Sequence, residues 1–147
     1  MILKDIYESS TYMTDEEMSN DQAVASANQA IAEINTKAST NLPFYEGEHY
    51  QETEYDAFGS SWQLRLIEPY LSFTIATNDS DTNARDFHYN RFLTALSEFK
   101  NKGLDSIKTT YIDEDGNEQP TGYEGNSERI VKINANDRYN PFLGWWL

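Results

Sequence analysis

Residues 60–76 read SSWQLRLIEPYLSFTIA, and this stretch decides the fold. Its apolar residues recur at helical spacing on two sides, with Trp62, Leu66, Tyr70 and Phe73 on one and Leu64, Ile67, Leu71 and Ile75 on the other. Because a helix that is apolar on two faces must be buried, we predict that this is the central helix. Pro69 removes a backbone donor inside it, which predicts a kink or a break into two shorter helices.

An Ala-rich helix is predicted before this stretch. Its apolar residues step by three and four positions and form one stripe, which consists of Val24, Ala27, Ile31, Ile34 and Ala38. Thr14 and Glu17 have the spacing of a capping box, so the helix is predicted to begin there. Small residues beside the stripe permit close approach of another helix.

Two further helices are predicted. Residues 2–8 place Leu3, Ile6 and Tyr7 on one face of a short helix that must dock on a larger element. Residues 82–102 form a third long helix capped by Asp81, and Gly103 is predicted to end it as a left-handed cap. Its inward residues are expected to be Ala84, Phe92, Leu96 and Phe99, with Phe87, Leu93 and Ala95 nearby.

A long ordered loop is predicted over residues 39–57. Four aromatic side chains are expected to attach it to the bundle, namely Phe44, Tyr45, Tyr50 and Tyr55. Its acids are then expected to face water, namely Glu46, Glu48, Glu52, Glu54 and Asp56. Loops of this length are uncommon inside compact domains and are often functional.

After Gly103 the pattern changes from helical to alternating. Residues 106–112 and 128–133 are rich in β-branched residues, which predicts two strands of a hairpin joined by a polar connection. The predicted organisation is mainly α, a bundle of three to four helices over residues 1–104, followed by a β-hairpin arm at 105–134 and an extended C-terminal anchor at 135–147. The predicted partner-binding residues are Tyr139, Pro141, Phe142, Leu143, Trp145, Trp146 and Leu147.

The composition excludes several classes of function. The chain of 147 residues has no Cys and only two His, which removes thiol chemistry and makes most metal sites improbable on sequence grounds. Its 25 acidic and 11 basic residues leave a formal net charge of −14, which repels phosphate backbones. Residues 1–6 lack the apolar stretch of a signal peptide, and no run is long enough for a membrane helix, so a cytosolic protein is expected.

Three arrangements that suggest chemistry are disfavoured, two by their spacing and one by its surroundings. Residues 113–124 place oxygen side chains as in a calcium loop, but Gly116 is at position 4 of the register and Pro120 interrupts it. Asp86 cannot orient His88, because residues two apart on a helix do not face each other. The acids cluster where water reaches them, whereas a catalytic acid needs an apolar pocket. We therefore expect no catalytic residue, metal or cofactor, and no enzymatic activity.

The order of these elements resembles the head–tail connector proteins of tailed bacteriophages. The likeness covers residues 1–104: a short helix, an acid-started Ala-rich helix from Asp15 to Ala38, an aromatic loop and two core helices. The loop at 39–57 and the length of the hairpin region depart from the compact family pattern. The resemblance implies a homo-oligomeric ring of about twelve copies in the virion, joined to the portal protein and to a tail-completion protein, and made in the bacterial host cytoplasm.

Two alternatives explain the same charge. A small acidic inhibitor that imitates DNA and occupies a nucleic-acid enzyme also needs a strongly negative surface, although it does not need the apolar C-terminal residues. Acidity that only keeps a protein soluble is the simplest explanation. In each case neither specific nucleic-acid binding nor membrane association is expected.

Overall fold

The computed structural model describes residues 1–12, 17–107, 110–112 and 114–120. These residues contain four α-helices, which are α1 (Leu3–Glu8), α2 (Asn20–Ala38), α3 (Ser60–Asn78) and α4 (Thr82–Glu98). Two short strands, β1 (Thr110–Ile112) and β2 (Glu118–Pro120), pair antiparallel with Tyr111 opposite Gln119. The mainly helical fold is therefore confirmed. The predicted strand at 128–133 lies outside the described residues, so the arm at 105–134 stays a prediction.

Helix α3 is the central element, as its pattern predicts. It contacts α1, α2 and α4, and Leu66, Ile67 and Leu71 are fully buried. The helix continues from Ser60 to Asn78 through the buried Pro69, so the predicted break into two helices does not occur. Packing on several sides offsets the one backbone hydrogen bond that proline removes. No helix among the described residues combines the length and hydropathy that a membrane span requires.

Polar side chains of α3 join it to the elements that cover it. Gln63 donates to two carbonyls of the loop before α3, Ser72 lies 3.4 Å from Ser10 after α1, and Glu68 accepts from Arg91 of α4. Two more link α3 to α2: Thr74 to Ser26 and Tyr70 to Glu33. A polar group that is buried without a partner lowers the stability of the fold. These hydrogen bonds therefore determine which elements pack against α3.

Helix α2 begins later than predicted. The Ser19 hydroxyl accepts from the Gln22 backbone N–H at 3.2 Å, and the Gln22 side chain accepts from the Ser19 N–H at 2.9 Å. The capping box of α2 is therefore Ser19 and Gln22, five residues after the predicted one. Glu17 and Met18 precede the helix, whereas Thr14 lies outside the described residues. The apolar stripe is otherwise confirmed, since Ala27, Ile31, Ile34 and Ala38 are buried and Val24 is half-buried.

Helix α4 confirms the predicted cap but not the predicted end. The Asp81 carboxylate accepts from the Ala84 N–H at 3.1 Å. The helix ends at Glu98 and continues as a π-helical turn over Phe99–Gly103. Phe87 was predicted near the core, yet it is 61% exposed. The buried residue is its neighbour His88, because one step along a helix turns the side chain by about 100°.

Gly103 is required for close packing and not for a left-handed conformation. Its φ is −98° and its ψ is −10°, which any residue adopts, so the predicted left-handed cap is wrong. A Cβ at this position would lie 2.8 Å from Trp62 Cε2 and would also collide with the Phe99 ring. Hydrogen in place of a side chain therefore lets the two aromatic rings meet at a centroid distance of 5.5 Å.

Gly103→Ala should lower the free energy of unfolding by about 1–3 kcal/mol, because the added methyl overpacks this contact. The matched control is Gly47→Ala, since a Cβ at Gly47 meets nothing within 4 Å. Urea unfolding followed by tryptophan fluorescence measures both variants. Equal stability of the two variants would show that Gly103 is not a packing requirement.

Candidate interaction surface

The predicted anchor residues Tyr139, Pro141, Phe142, Leu143, Trp145, Trp146 and Leu147 all lie outside the described residues. The anchor therefore stays a prediction. The loop at 39–57 is the other predicted partner-facing segment, and it is described in full. Its structure shows how acidic side chains are presented by a firmly held backbone.

Two asparagines of α2 hold the first half of the loop. The Asn28 amide accepts from the Tyr45 N–H at 2.6 Å and donates to the Tyr45 carbonyl at 3.0 Å. Asn35 makes the same pair with Leu42, at 2.8 Å and 3.1 Å, and also accepts from the Thr40 hydroxyl. Each amide thus satisfies both backbone groups of one loop residue, as a neighbouring strand would. The loop is fixed along two turns of α2.

Aromatic side chains attach the loop to the core, as predicted for three of the four. Tyr45, Tyr50 and Tyr55 are buried, and the Tyr45 and Tyr55 rings stack at 4.0 Å. Phe44 was expected to join them, but it is 51% exposed, because Tyr45 faces the core and its neighbour turns outward. The side-chain amide of Gln63 then donates to the carbonyls of Tyr55 and Phe58, which fixes the end of the loop where α3 begins.

The middle of the loop is held against α1. The Lys4 N–H donates to the Tyr50 carbonyl at 2.9 Å, and the N–H groups of Glu52 and Thr53 donate to the Glu48 carbonyl. The N-terminal ammonium also lies 3.0 Å from a carboxylate oxygen of Glu54. Backbone contacts therefore hold this segment at its start, middle and end.

The acidic surface is defined as the five carboxylates of residues 44–56, a segment that contains no Lys or Arg: Glu46, Glu48, Glu52, Glu54 and Asp56. Glu46, Glu52 and Glu54 are exposed, whereas Glu48 and Asp56 are half-buried. The expectation that these acids face water is thus confirmed in full for three and in part for two. Exposed carboxylates on a fixed backbone create a local negative potential that repels phosphate and attracts cationic groups.

His49 lies within this surface and is neutral. Its Nδ1 accepts from the Glu46 N–H at 2.6 Å, so that nitrogen carries no proton. Burial lowers the pKa of His49, and this effect outweighs the neighbouring Glu48, Glu46 and Asp56 carboxylates, which raise it. His49 therefore caps the 3₁₀ turn at Gly47–His49 without adding positive charge to the acidic surface.

Burial is complete for two groups beneath the loop. Within the described ranges, the Tyr45 hydroxyl and the Gln63 Oε1 atom have no hydrogen-bond partner, although the amide nitrogen of Gln63 makes two bonds. Burial also raises the pKa of Tyr45 far above its ordinary value. These groups lie inside the protein, so they do not contribute to the acidic surface itself.

Among the described residues, no group of three or more His, Asp or Glu side chains is placed to hold a metal ion. The calcium-like stretch at 113–124 is described only in part, because Asp113 and residues 121–124 lie outside the described ranges. His88 does not meet Asp86, which pairs with Arg85 at 3.1 Å; its ring lies beside Tyr12 and Phe87.

Asn28 and Asn35 hold the loop in place, and the sequence analysis did not identify them. They are seven residues apart, so they share one helix face, and both interrupt a helix otherwise rich in Ala. Asparagine is a weak helix former that bonds readily to backbone groups. Two asparagines at this spacing were the available signal that α2 binds another stretch of backbone.

Comparisons of this chain with protein-family models, with curated proteins and with solved structures found no match.

Asn28→Ala should lower the free energy of unfolding by about 1–3 kcal/mol, because both backbone groups of Tyr45 lose their partner. The amide of Tyr45 should also exchange faster with solvent than in the parent chain. Gln29→Ala, at the exposed neighbouring position, is the control and should change neither quantity. Unchanged exchange at Tyr45 in the Asn28→Ala variant would contradict the assigned role of the asparagine.

Proposed function

We propose that this chain is a structural adaptor of a tailed-bacteriophage virion, which forms a ring between the portal and the tail and catalyses no reaction. The observation that supports this proposal most is the acidic surface, whose carboxylates project from a loop held by Asn28, Asn35 and Gln63. A rigid acidic surface is consistent with a protein that acts through its place in an assembly and through its negative charge, without catalysis.

Charge supplies the physical reason for the proposal. DNA that leaves a capsid passes through the connector, and a wall that bound phosphates would slow it. With a formal charge of −14, each copy repels the DNA backbone and gains nothing from the counterion release that drives cationic proteins onto DNA. A ring of about twelve such copies is therefore compatible with passage of DNA along its axis.

The proposed arrangement assigns one task to each part of the chain. The bundle at 1–104 forms the body of each subunit in the proposed ring. The arm at 105–134 contacts a neighbouring copy, and the anchor at 135–147 binds the portal or the tail-completion protein. The two tryptophans of the anchor, Trp145 and Trp146, supply large apolar areas of the kind that dominates protein interfaces.

The alternative function is a DNA mimic that occupies the nucleic-acid site of an enzyme. The five carboxylates of the acidic surface favour it, because they lie within thirteen residues on a fixed backbone. A mimic acts as a single copy and needs no partner-binding tail. The two functions therefore differ in oligomeric state and in the role of residues 135–147.

The self-association of the purified chain should depend on salt. At about 20 mM salt the protein is expected to be a monomer of 16.9 kDa, because equal negative charges repel. At about 500 mM salt, or with the portal protein of the same phage as a template, larger assemblies are expected. Light scattering coupled to size exclusion measures both.

Sucrose at equal osmolality is the control, since it adds no screening ions. Stable rings at the lowest salt without a partner would contradict the prediction that charge limits assembly. A monomer at every salt concentration that also fails to bind the portal would reject the adaptor and favour the mimic.

Removal of residues 142–147 should abolish portal binding and leave the melting temperature unchanged, because an anchor contributes to the interface and not to the bundle. Pull-down with the portal protein and thermal unfolding measure the two effects. The full-length double variant Trp145→Ala/Trp146→Ala separates loss of side chains from loss of chain length. A truncated chain that is less stable by several kcal/mol would show that these residues belong to the core.

A further inference from the structure

A second polar cluster lies where α3, α4 and the α1–α2 connection meet. We define the connection by its described residues, 9–12 and 17–19. The Glu68 carboxylate accepts from Arg91 Nη2 at 2.6 Å and from the Ser72 hydroxyl at 2.7 Å. Ser72 in turn lies 3.4 Å from the Ser10 hydroxyl. The cluster therefore links the connection to both long helices.

His88 completes this cluster from α4. It is 6% exposed, and its Nδ1 atom lies 3.0 Å from Arg91 Nη1. A guanidinium only donates hydrogen bonds, so Nδ1 must accept and cannot carry a proton. The geometry thus requires a neutral His88 with its proton on Nε2.

The α1–α2 connection contacts the His88 ring through Tyr12. The Tyr12 ring lies 4.6 Å from it, and the Tyr12 N–H donates to the Ser10 hydroxyl at 3.1 Å. Farther along, the Glu17 N–H donates to the hydroxyl of the buried Tyr7 at 2.9 Å. Tyr12 thus contacts α4 and Ser10 contacts α3, whereas Glu17 bonds to α1.

We propose that His88 is an acid-sensitive latch, whose protonation separates it from Arg91 and releases the α1–α2 connection from α4. A proton on Nδ1 would face the guanidinium of Arg91 with a like charge and no acceptor. Because Arg91 also binds Glu68, its displacement loosens the link from Glu68 through Ser72 to Ser10.

The charged groups around His88 favour the neutral ring on balance. Burial lowers the pKa of His88, and Arg91 on the same helix lowers it further. Glu68 of α3 and Asp81 before α4 raise it, but by less. Tyr12 is the titratable group that faces the ring from the connection, and burial together with nearby acids raises its pKa, so it stays neutral near pH 7.

The direction of the pH dependence follows from these shifts. An exposed His has a pKa of about 6.5, so below that pH the released form binds a proton that the docked form excludes. Docking is therefore complete above about pH 6.5 and weakens as the pH falls toward the lower pKa of docked His88. At pH 5.0 the docking equilibrium should fall by up to about 30-fold.

Titration of Glu68 does not account for a change in docking between pH 6.5 and pH 5.0. Burial raises the pKa of Glu68, but hydrogen bonds from Arg91, Ser72 and Ser10 outweigh it and place the pKa below its ordinary value. Its contribution is present above its ordinary pKa and is lost only at lower pH, so the carboxylate stays ionised at pH 5.0. Of the two histidines in the chain, only His88 contacts the connection.

Amide hydrogen exchange at pH 7.5 and pH 5.0, corrected for the intrinsic rates, tests the proposal. Protection of the Tyr12 amide should fall by up to about 30-fold, while the amides of Leu66 and Leu71 keep their protection. His88→Gln should remove the response, because glutamine accepts from Arg91 without titrating. His49→Gln is the matched control and should respond as the parent chain does.

Equal protection of the Tyr12 amide at both pH values would overturn the proposal, as would an equal loss of protection in the His88→Gln variant. A titration of the His88 ring by NMR in the unmodified protein gives a second test that does not depend on the folding of a variant. An apparent pKa of His88 above 6.5 would overturn the latch, because protonation would then strengthen docking.

Discussion

The burial of the middle of α3, from Leu66 to Ser72, is the constraint on which the rest of the structure depends. A helix with apolar residues on two faces must be covered on several sides, and one chain of this length has few elements to cover it. The remaining helices and the loop at 39–57 therefore serve first as its cover. The polar side chains of α3 then specify which element lies where, because Gln63, Glu68 and Ser72 each require a different partner. Hydrophobic burial provides most of the stabilisation, and these few polar links fix the arrangement.

This constraint also explains how the loop at 39–57 is held. The backbone of residues 39–57 would be unstable against a buried helix without partners for its N–H and C=O groups. Asn28, Asn35 and Gln63 supply those partners from the two flanking helices, and three of the five carboxylates remain exposed to solvent. The α1–α2 connection is also held from the long helices, but through side-chain contacts of Ser10 with Ser72 and of Tyr12 with His88. The difference is that His88 titrates, whereas asparagine and glutamine do not.

Features that follow from the spacing of residues were predicted correctly from the sequence. Features that depend on contacts between distant residues were not. The buried face of α2, the short helix around Ile6 and the Asp81 cap follow from spacing alone, and the structure confirms them. The start of α2 was wrong because two capping boxes stand five residues apart and nothing local distinguishes them. Gly103 looked like a helix cap because its need for space comes from Trp62, which lies far away in the sequence. Of the candidate site, the outward acids were predictable, but the asparagines that hold their backbone were not.

The proposed adaptor requires that the acidic surface be held rigidly, since charges on a mobile loop would adapt to any partner and could fold against a cationic one. Backbone ¹⁵N relaxation of residues 40–56 measures this rigidity most directly. Order parameters of about 0.85, equal to those of α3, are the expected result for a loop fixed at its start, middle and end. Values below about 0.6 across these residues would contradict the account, because the contacts of Asn28 and Asn35 would then not restrain the loop in solution.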